Sequence, residues 1–309
     1  MSKAPFPLDP KLSAVVVAYK NPALIADEAL PRVPVGKMEF KYLKHTKAES
    51  YNILDTKVGR KSRPNQVDFT ATEATASTKN YALEDVVPVE DIENAPDSYD
   101  PLGRAVEGIA DLVALDREKR TADLLFNAAN YATANKSTLS GTSQWSDYSN
   151  SDPIGDIMGA LDDMLMRGNI AVLGQAVWTK LRMHPDIVKA VLGNSGDKGI
   201  VSRQAVADLF ELEDLFVGVG WYNNAKRGQT ASFGRLWGKH FGLYYRDKLA
   251  NTQNRTTFGY TAQFGGKVAN RRFDESIGLK GADIVKAGES VVELLTANDL
   301  GYLFTNAVA

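Results

Sequence analysis

Apolar and polar positions divide the chain into stretches of different character. In residues 1–36, Pro5, Pro7, Pro10, Pro22, Pro31 and Pro34 interrupt every periodic pattern except a short piece at Leu12–Tyr19. The pattern predicts an arm that is disordered or lies across something else. From Met38 to about Thr56, and again where Val67, Phe69 and Ala71 alternate with Asp68, Thr70 and Thr72, the period is that of strands. The tip between them, Val58-Gly59-Arg60-Lys61-Ser62-Arg63-Pro64-Asn65, has turn residues at both ends and a basic middle. A hairpin over 37–82 is therefore expected, with limbs of roughly 20 residues reaching about 60 Å. Such a ribbon is marginal alone in water, and its few large apolar residues point to a neighbouring copy as the surface that covers it.

Helical periodicity takes over at Pro101, behind the N-cap candidate Asp100. Leu102, Ala105, Val106, Ile109, Leu112 and Val113 make an apolar stripe that resumes at Leu124, Leu125 and Ala128. The expected helix runs to about Asn130, with Asp116–Arg120 exposed in its middle. A polar Ser/Thr/Asn-rich connection over 132–152 marks a boundary. Beyond it, Asp152-Pro153 opens a second helix, Ile170–Leu173 reads as a buried strand, and a helix carries Trp178 and Leu181 up to His184-Pro185. Another helix closes over Val206–Leu209, and Leu215–Val219 is a strand. Residues 230–268 are aromatic and β-rich, and strands are expected at Asp283–Val285, Val291–Leu295 and Gly301–Phe304. The fold class is α+β.

The chain's 309 residues, 44% hydrophobic and 24% charged, suffice for one large or two medium domains. There is no cysteine, which excludes disulfides, thiolate nucleophiles and cysteine-ligated metals. The longest apolar run near the N-terminus, Ala14–Ala18, is too short for a signal-peptide core or a span. A soluble protein with an ordinary initiator Met is expected. Its net charge of −2 hides segregation. Residues 37–63 carry eight basic groups against three acids, residues 64–100 nine acids against Lys79, and residues 221–280 eleven basic groups against three acids. These blocks read either as solvated faces balanced within one fold or as complementary patches on neighbouring copies.

Chemistry is hard to find. His45, His184 and His240 lie in different elements without metal-ligand spacing. His184 is expected at a helix C-terminus, in contact with the dipole. Gly193-Asn194-Ser195-Gly196-Asp197 reads as a turn, Gly265-Gly266-Lys267 is followed by Val268 instead of Ser or Thr, and Gly218-x-Gly220 lacks a third glycine. Asp156, Asp162 and Asp163 fall on the polar face of a helix. No catalytic, cofactor-binding or metal-binding residues are assigned, and no cofactor is expected.

The order of parts is what carries a resemblance: a proline-rich arm, a long basic hairpin, an acidic link (Tyr81–Asp91), a long helix, a compact α/β region and returning strands. With the phrase Asn169–Asp186 (NIAVLGQAVWTKLRMHPD), it resembles the Hong Kong 97-type fold of tailed-phage major capsid proteins, most like those of Mu-like phages. The resemblance implies an N-terminal arm (1–36), an E-loop (37–82), a P-domain with a long spine helix (83–135 and 270–309) and an A-domain (136–269). It implies a structural, non-enzymatic shell protein that assembles into hexamers and pentamers of an icosahedral head. Its implied partners are its own copies, a separately encoded scaffold and protease, a portal, cement proteins and non-specifically contacted double-stranded DNA. No membrane is involved, and the implied location is the virion, after assembly in the host cytoplasm. Arg60, Lys61 and Arg63 are the expected contacts to Glu84, Asp85, Glu90, Asp91 and Glu93 of a neighbour. Some relatives weld subunits covalently; Lys57, Lys61 and Asn298 occupy suitable locations, but no catalytic acid can be placed beside them and no weld is expected. An encapsulin-like compartment, or a soluble oligomeric enzyme with an unfamiliar site, are the alternatives.

Overall fold

The computed structural model describes residues 9–18, 21–44, 53, 55–66, 72–193, 198–226 and 228–309. The N-terminal segment is more structured than its prolines suggest. The Asp9 carboxylate accepts from the Lys11 and Leu12 N–H groups (2.9 and 3.2 Å) and caps helix α1 (Pro10–Ala18). A one-turn helix α2 (Ala26–Ala29) and a strand β1 (Arg32–Val35) follow. Leu12 and Val16 are buried in a cluster with the long helix, so this part of the chain is docked on its own fold.

The base of the expected hairpin is present among the described residues. Strands β2 (Glu39–Lys44) and β3 (Thr72–Ser77) pair antiparallel, from Glu39↔Ser77 to Lys44↔Thr72. The expected strand residues 45–52, 54 and 67–71 lie outside the described residues. Phe40 and Tyr42 at its base pack on Val33, Tyr260 and Ala262, or beside them, so the ribbon is anchored to its own sheet after all. Strand β4 (Lys79–Pro88) and a short helix α3 (Val89–Glu93) carry the acidic link.

Helix α4 (Pro101–Leu125) starts as read, with the Asp100 carboxylate accepting from Leu102 N–H at 3.1 Å. It stops earlier than read. Phe126 leaves helical geometry (φ −98°, ψ 17°), and the Asn127 side chain caps a separate 3₁₀ turn at Ala128–Asn130.

The rest follows as β5 (Lys136–Thr138), α5 (Pro153–Asp163), β6 (Ile170–Gly174), α6 (Gln175–Leu181), α7 (Pro185–Leu192) and α8 (Arg203–Leu209). Then come β7 (Asp214–Gly218), β8 (Trp221–Asn223), β9 (Phe233–Arg235), β10 (Phe241–Tyr244), β11 (Gly259–Phe264), β12 (Val268–Asp274), β13 (Ala282–Leu295) and β14 (Gly301–Thr305). Two strands read from the sequence within 283–295 are thus one, β13, passing through Gly288, where a Cβ would sit 2.4 Å from the Tyr81 carbonyl oxygen.

Two five-stranded sheets organise these parts. The first has the order β1-β11-β13-β12, with β4 also paired to β13; the second has the order β5-β14-β10-β6-β7. The sheets cut across the expected domain boundaries: β11, from 136–269, joins the first, and β14, from 270–309, joins the second. Helices α1 and α4 cover one face of the first sheet through Val106, Ile109, Val113, Val285 and Ala287. The second sheet has a core on each side. Trp145, Ile157, Leu173, Trp178 and Phe241 belong to one; Ile170, Val172 and Tyr244 share the other with Leu125, the last residue of α4, and Phe258, just before β11. Gly218 is bare because the Trp237 ring lies where its Cβ would be, 2.0 Å away.

Candidate assembly surfaces and the ion network behind them

The middle of α4, expected to face solvent, is the most buried charged site among the described residues. Arg117 is 3% and Glu118 0% exposed, because the segment 21–32 crosses this part of the helix. Glu118 accepts from the backbone N–H groups of Ile25 and Ala26 (2.8 Å each) and from the Trp237 indole (2.6 Å). A carboxylate from one element thereby satisfies the open N-terminal donors of α2 and joins three separate segments. Burial pushes the Glu118 pKa up, against the pull of its three donors and Arg117.

Around it runs a chain of ion pairs. Arg117 reaches Asp27 (2.5 Å) and Thr261 (3.0 Å), and Arg32 reaches Asp27 (2.6 Å) and Glu289 (2.5 Å). Arg120 meets Glu293 (3.1 Å) and lies over the Tyr81 ring at 3.5 Å. Burial favours a neutral Asp27, but Arg117 and Arg32 together outweigh it and hold the pKa low. Sequence reasoning missed this network. One signal was available: Arg117 follows Val113 by four residues, in phase with the apolar stripe.

The histidines build no reactive arrangement among the described residues. His184 does not end a helix; its Nδ1 accepts from Asp186 N–H (3.3 Å) and caps the start of α7, with Pro185 at the first helical position. Its Nε2 lies 3.1 Å from the Ser151 hydroxyl, and its ring meets Tyr148 edge-on. His240 accepts from Asn306 N–H (3.3 Å) and packs against Phe126. His45 and residues 194–197 lie outside the described residues. Asp156 accepts from the buried Trp145 indole at 2.8 Å, so its place on the helix is structural. Among the described residues no group of three or more His, Cys, Asp or Glu could hold a metal ion.

The expected contact residues are all on the surface and are not brought together within one chain. Arg60, Lys61 and Arg63 are exposed in the hairpin tip, beside exposed Val58. Glu84 and Asp85 are exposed on β4 between exposed Leu83 and Val86. Glu84 stands opposite Lys286 in the β4–β13 register, and Asp85 accepts from the Val86 N–H at 2.9 Å. Glu90 and Asp91 open α3, while Glu93 is already paired with Lys280. Lys57 and Lys61 stand in the tip, Asn298 in a short turn before β14.

Comparison with known proteins gives these surfaces a context. The family model described as phage major capsid protein E matches residues 121–263. The chain is 52% identical, over the full length of both chains, to the major capsid protein of Pseudomonas phage JBD67. It is 27% identical to that of Burkholderia phage BcepMu, over 96% of each chain. Among solved structures it is similar to a phage-related protein of Bordetella bronchiseptica RB50, at TM-score 0.77 and 25% identity, covering 98% of this chain and 99% of that one. The fold also matches the capsid structure of cyanophage P-SCSP1u, at TM-score 0.57 and 9% identity, over 93% of this chain and 89% of that one.

Proposed function

This chain belongs to the family of phage major capsid proteins, and from that premise we propose that it is the structural subunit of a phage head, built by association of its own copies. The observation that carries the reading is the full-length 52% identity to a major capsid protein. The Hong Kong 97-type architecture and the exposed ribbon tip agree with it. Its copies form the hexamers and pentamers of an icosahedral shell that encloses double-stranded DNA, contacted without sequence preference. A separate scaffold and protease, a portal and cement proteins complete the particle, assembled in the host cytoplasm. No enzymatic activity is part of this role. Residues 1–36 act as an arm, 37–82 as the E-loop, the α4 side of the molecule as the P-domain and the second sheet as the A-domain.

In this reading the basic tip, Arg60, Lys61 and Arg63, docks on Glu84, Asp85, Glu90 and Asp91 of a neighbour, with Glu93 shared with Lys280. Charge complementarity supports the match, since the tip block and the acidic link are segregated in the sequence. Negative-stain micrographs of the expressed protein, with and without its scaffold, test the central claim. Capsomers or closed shells are expected; a protein that stays monomeric by light scattering at high concentration, with the scaffold present, rules the reading out.

A further inference from the structure

The parallel pair β6–β7 has two chemically unlike ends. Both strands start beside Asp162 and Asp163 of α5 and beside Glu211 and Glu213, all four exposed. Arg167 lies between Asp162 (3.7 Å) and Glu211 (3.1 Å), and Asn169 donates to Glu213 at 3.0 Å. Where the strands finish, the chain enters the two-stranded ribbon β8–β9, paired as Trp221↔Arg235 and Asn223↔Phe233. From Leu215 to His240, the stretch that follows from β7 into the ribbon, the sequence has four Lys or Arg and no acid, whereas Arg246 lies at the acidic end, 3.3 Å from Asp214.

Alternation puts Trp221, Phe233 and Arg235 on one face of this ribbon and Tyr222 on the other. Tyr222 packs on the core beneath, with Lys119 over its ring at 5.5 Å. The opposite face is open: Trp221 is 50% and Phe233 68% exposed, and the Arg235 guanidinium lies 4.0 Å from the Trp221 ring centre. The face is also held in shape. Asn223 Oδ1 accepts from both Ala225 and Ser232 N–H at 3.0 Å, closing the loop at its base. A rigid aromatic and arginine surface of this kind is what dominates binding energy at protein interfaces.

We propose that this ribbon is a docking edge for a second copy of the chain, its Trp221, Phe233 and Arg235 face seating on the acidic end of β6–β7 in the next copy, at Asp162, Asp163, Glu211 and Glu213. Charge complementarity selects that occupant. A ribbon cannot reach the acidic end of its own domain, because a five-residue strand of about 17 Å separates the two. Donor and acceptor surfaces at opposite ends of one domain make the contact head-to-tail, the kind that repeats from copy to copy and closes into rings. The inference rests on the shell reading and names the residues that carry one of its contacts.

Sedimentation velocity over a concentration series, with micrographs, tests it. Arg235→Glu should weaken self-association about tenfold or more, and the Trp221→Ser, Phe233→Ser pair should do the same. Glu211→Arg with Glu213→Arg should weaken it too, and combining these with Arg235→Glu should restore much of the loss. Circular dichroism verifies that each variant is folded; the surface change Arg235→Glu keeps the test alive if the double aromatic variant is not. Wild-type assembly by a folded Arg235→Glu variant overturns the contact and leaves the shell reading standing. Weakening by each swap without recovery in the combination overturns the acidic partner. A wild-type protein that never associates fails the shell reading itself, and the contact with it.

Discussion

Glu118 shows what one residue can fix. It is fully buried, and its carboxylate answers two backbone N–H groups and an indole from segments far apart in sequence. Glu118→Ala should cost roughly 3 kcal/mol or more, because buried donors lose a charged acceptor. Denaturant unfolding measures the cost, and hydrogen exchange should speed up at Ile25 and Ala26 first; unchanged protection there would contradict the latch. Asp27, exposed on its outer side, gives a signed pH effect. Its folded pKa lies below the ordinary 3.8, so its contribution is present above that value and lost as pH falls through the folded pKa. Asp27→Asn should lower the melting temperature at pH 7 and flatten its fall below pH 4, as scanning calorimetry would register. Of this network only Arg117 left a trace in the sequence, through its phase on the helix. The donors to Glu118 include two backbone groups, which no residue letter announces.

Elements were legible where their signals are local. Asp100-Pro101 and Asp152-Pro153 start helices because a short carboxylate followed by proline suits the first turn whatever surrounds it. At His184-Pro185 a ring nitrogen takes the carboxylate's place before the proline and marks a start, which the apolar run before it, ending at Leu181, conceals. The stripe of α4 suggested continuation past Leu125, but the ending is set by tertiary packing of Phe126 on Trp237 and His240. His184→Ala should cost about 1–2 kcal/mol through the lost cap. Burial holds the His184 pKa below its ordinary 6.5, against the pull of Asp186 and Asp152. A base with a lowered folded pKa gives stability that is present above 6.5 and lost as pH falls through the folded value. The melting temperature should therefore fall between pH 7.5 and 5.5, and less steeply in His184→Asn, which keeps a capping oxygen. His240, whose pKa burial also lowers, contributes equally to both proteins, so the difference between them isolates His184. Equal slopes would deny His184 this role.

For the whole molecule, the order of parts in the sequence was enough to suggest the capsid architecture. What it did not reveal was sheet membership. β1 pairs with β11 in parallel, Arg32 against Thr261, and no local pattern encodes a partner so distant. At this scale the ribbon tip can be tested. Each exposed charge pair contributes only about 0–1 kcal/mol, so Lys61→Ala alone should be tolerated. Arg60, Lys61 and Arg63 changed together to Glu should block or distort assembly, because the contact recurs in every copy. High salt should weaken the wild-type contact, since exposed charges are screened over about 8 Å at physiological ionic strength. Normal particles from the triple variant at low and high salt, in micrographs, would reduce the tip to a solvated loop. Replacing His45, His184 and His240 together by Asn or Gln should leave particle formation largely intact, apart from the stability cost at His184.

The bare backbone at Gly218 touches the ring of Trp237, and that ring holds Glu118, which holds Ile25 and Ala26. A methyl group at Gly218 must displace the indole, and the disturbance passes through a single carboxylate to a segment nearly 200 residues earlier in the chain. In a genetic screen, alleles at Gly218 should therefore behave as temperature-sensitive lesions of the amino-terminal segment. Their suppressors should map to residues 21–32 and 118 more often than to the neighbourhood of the lesion.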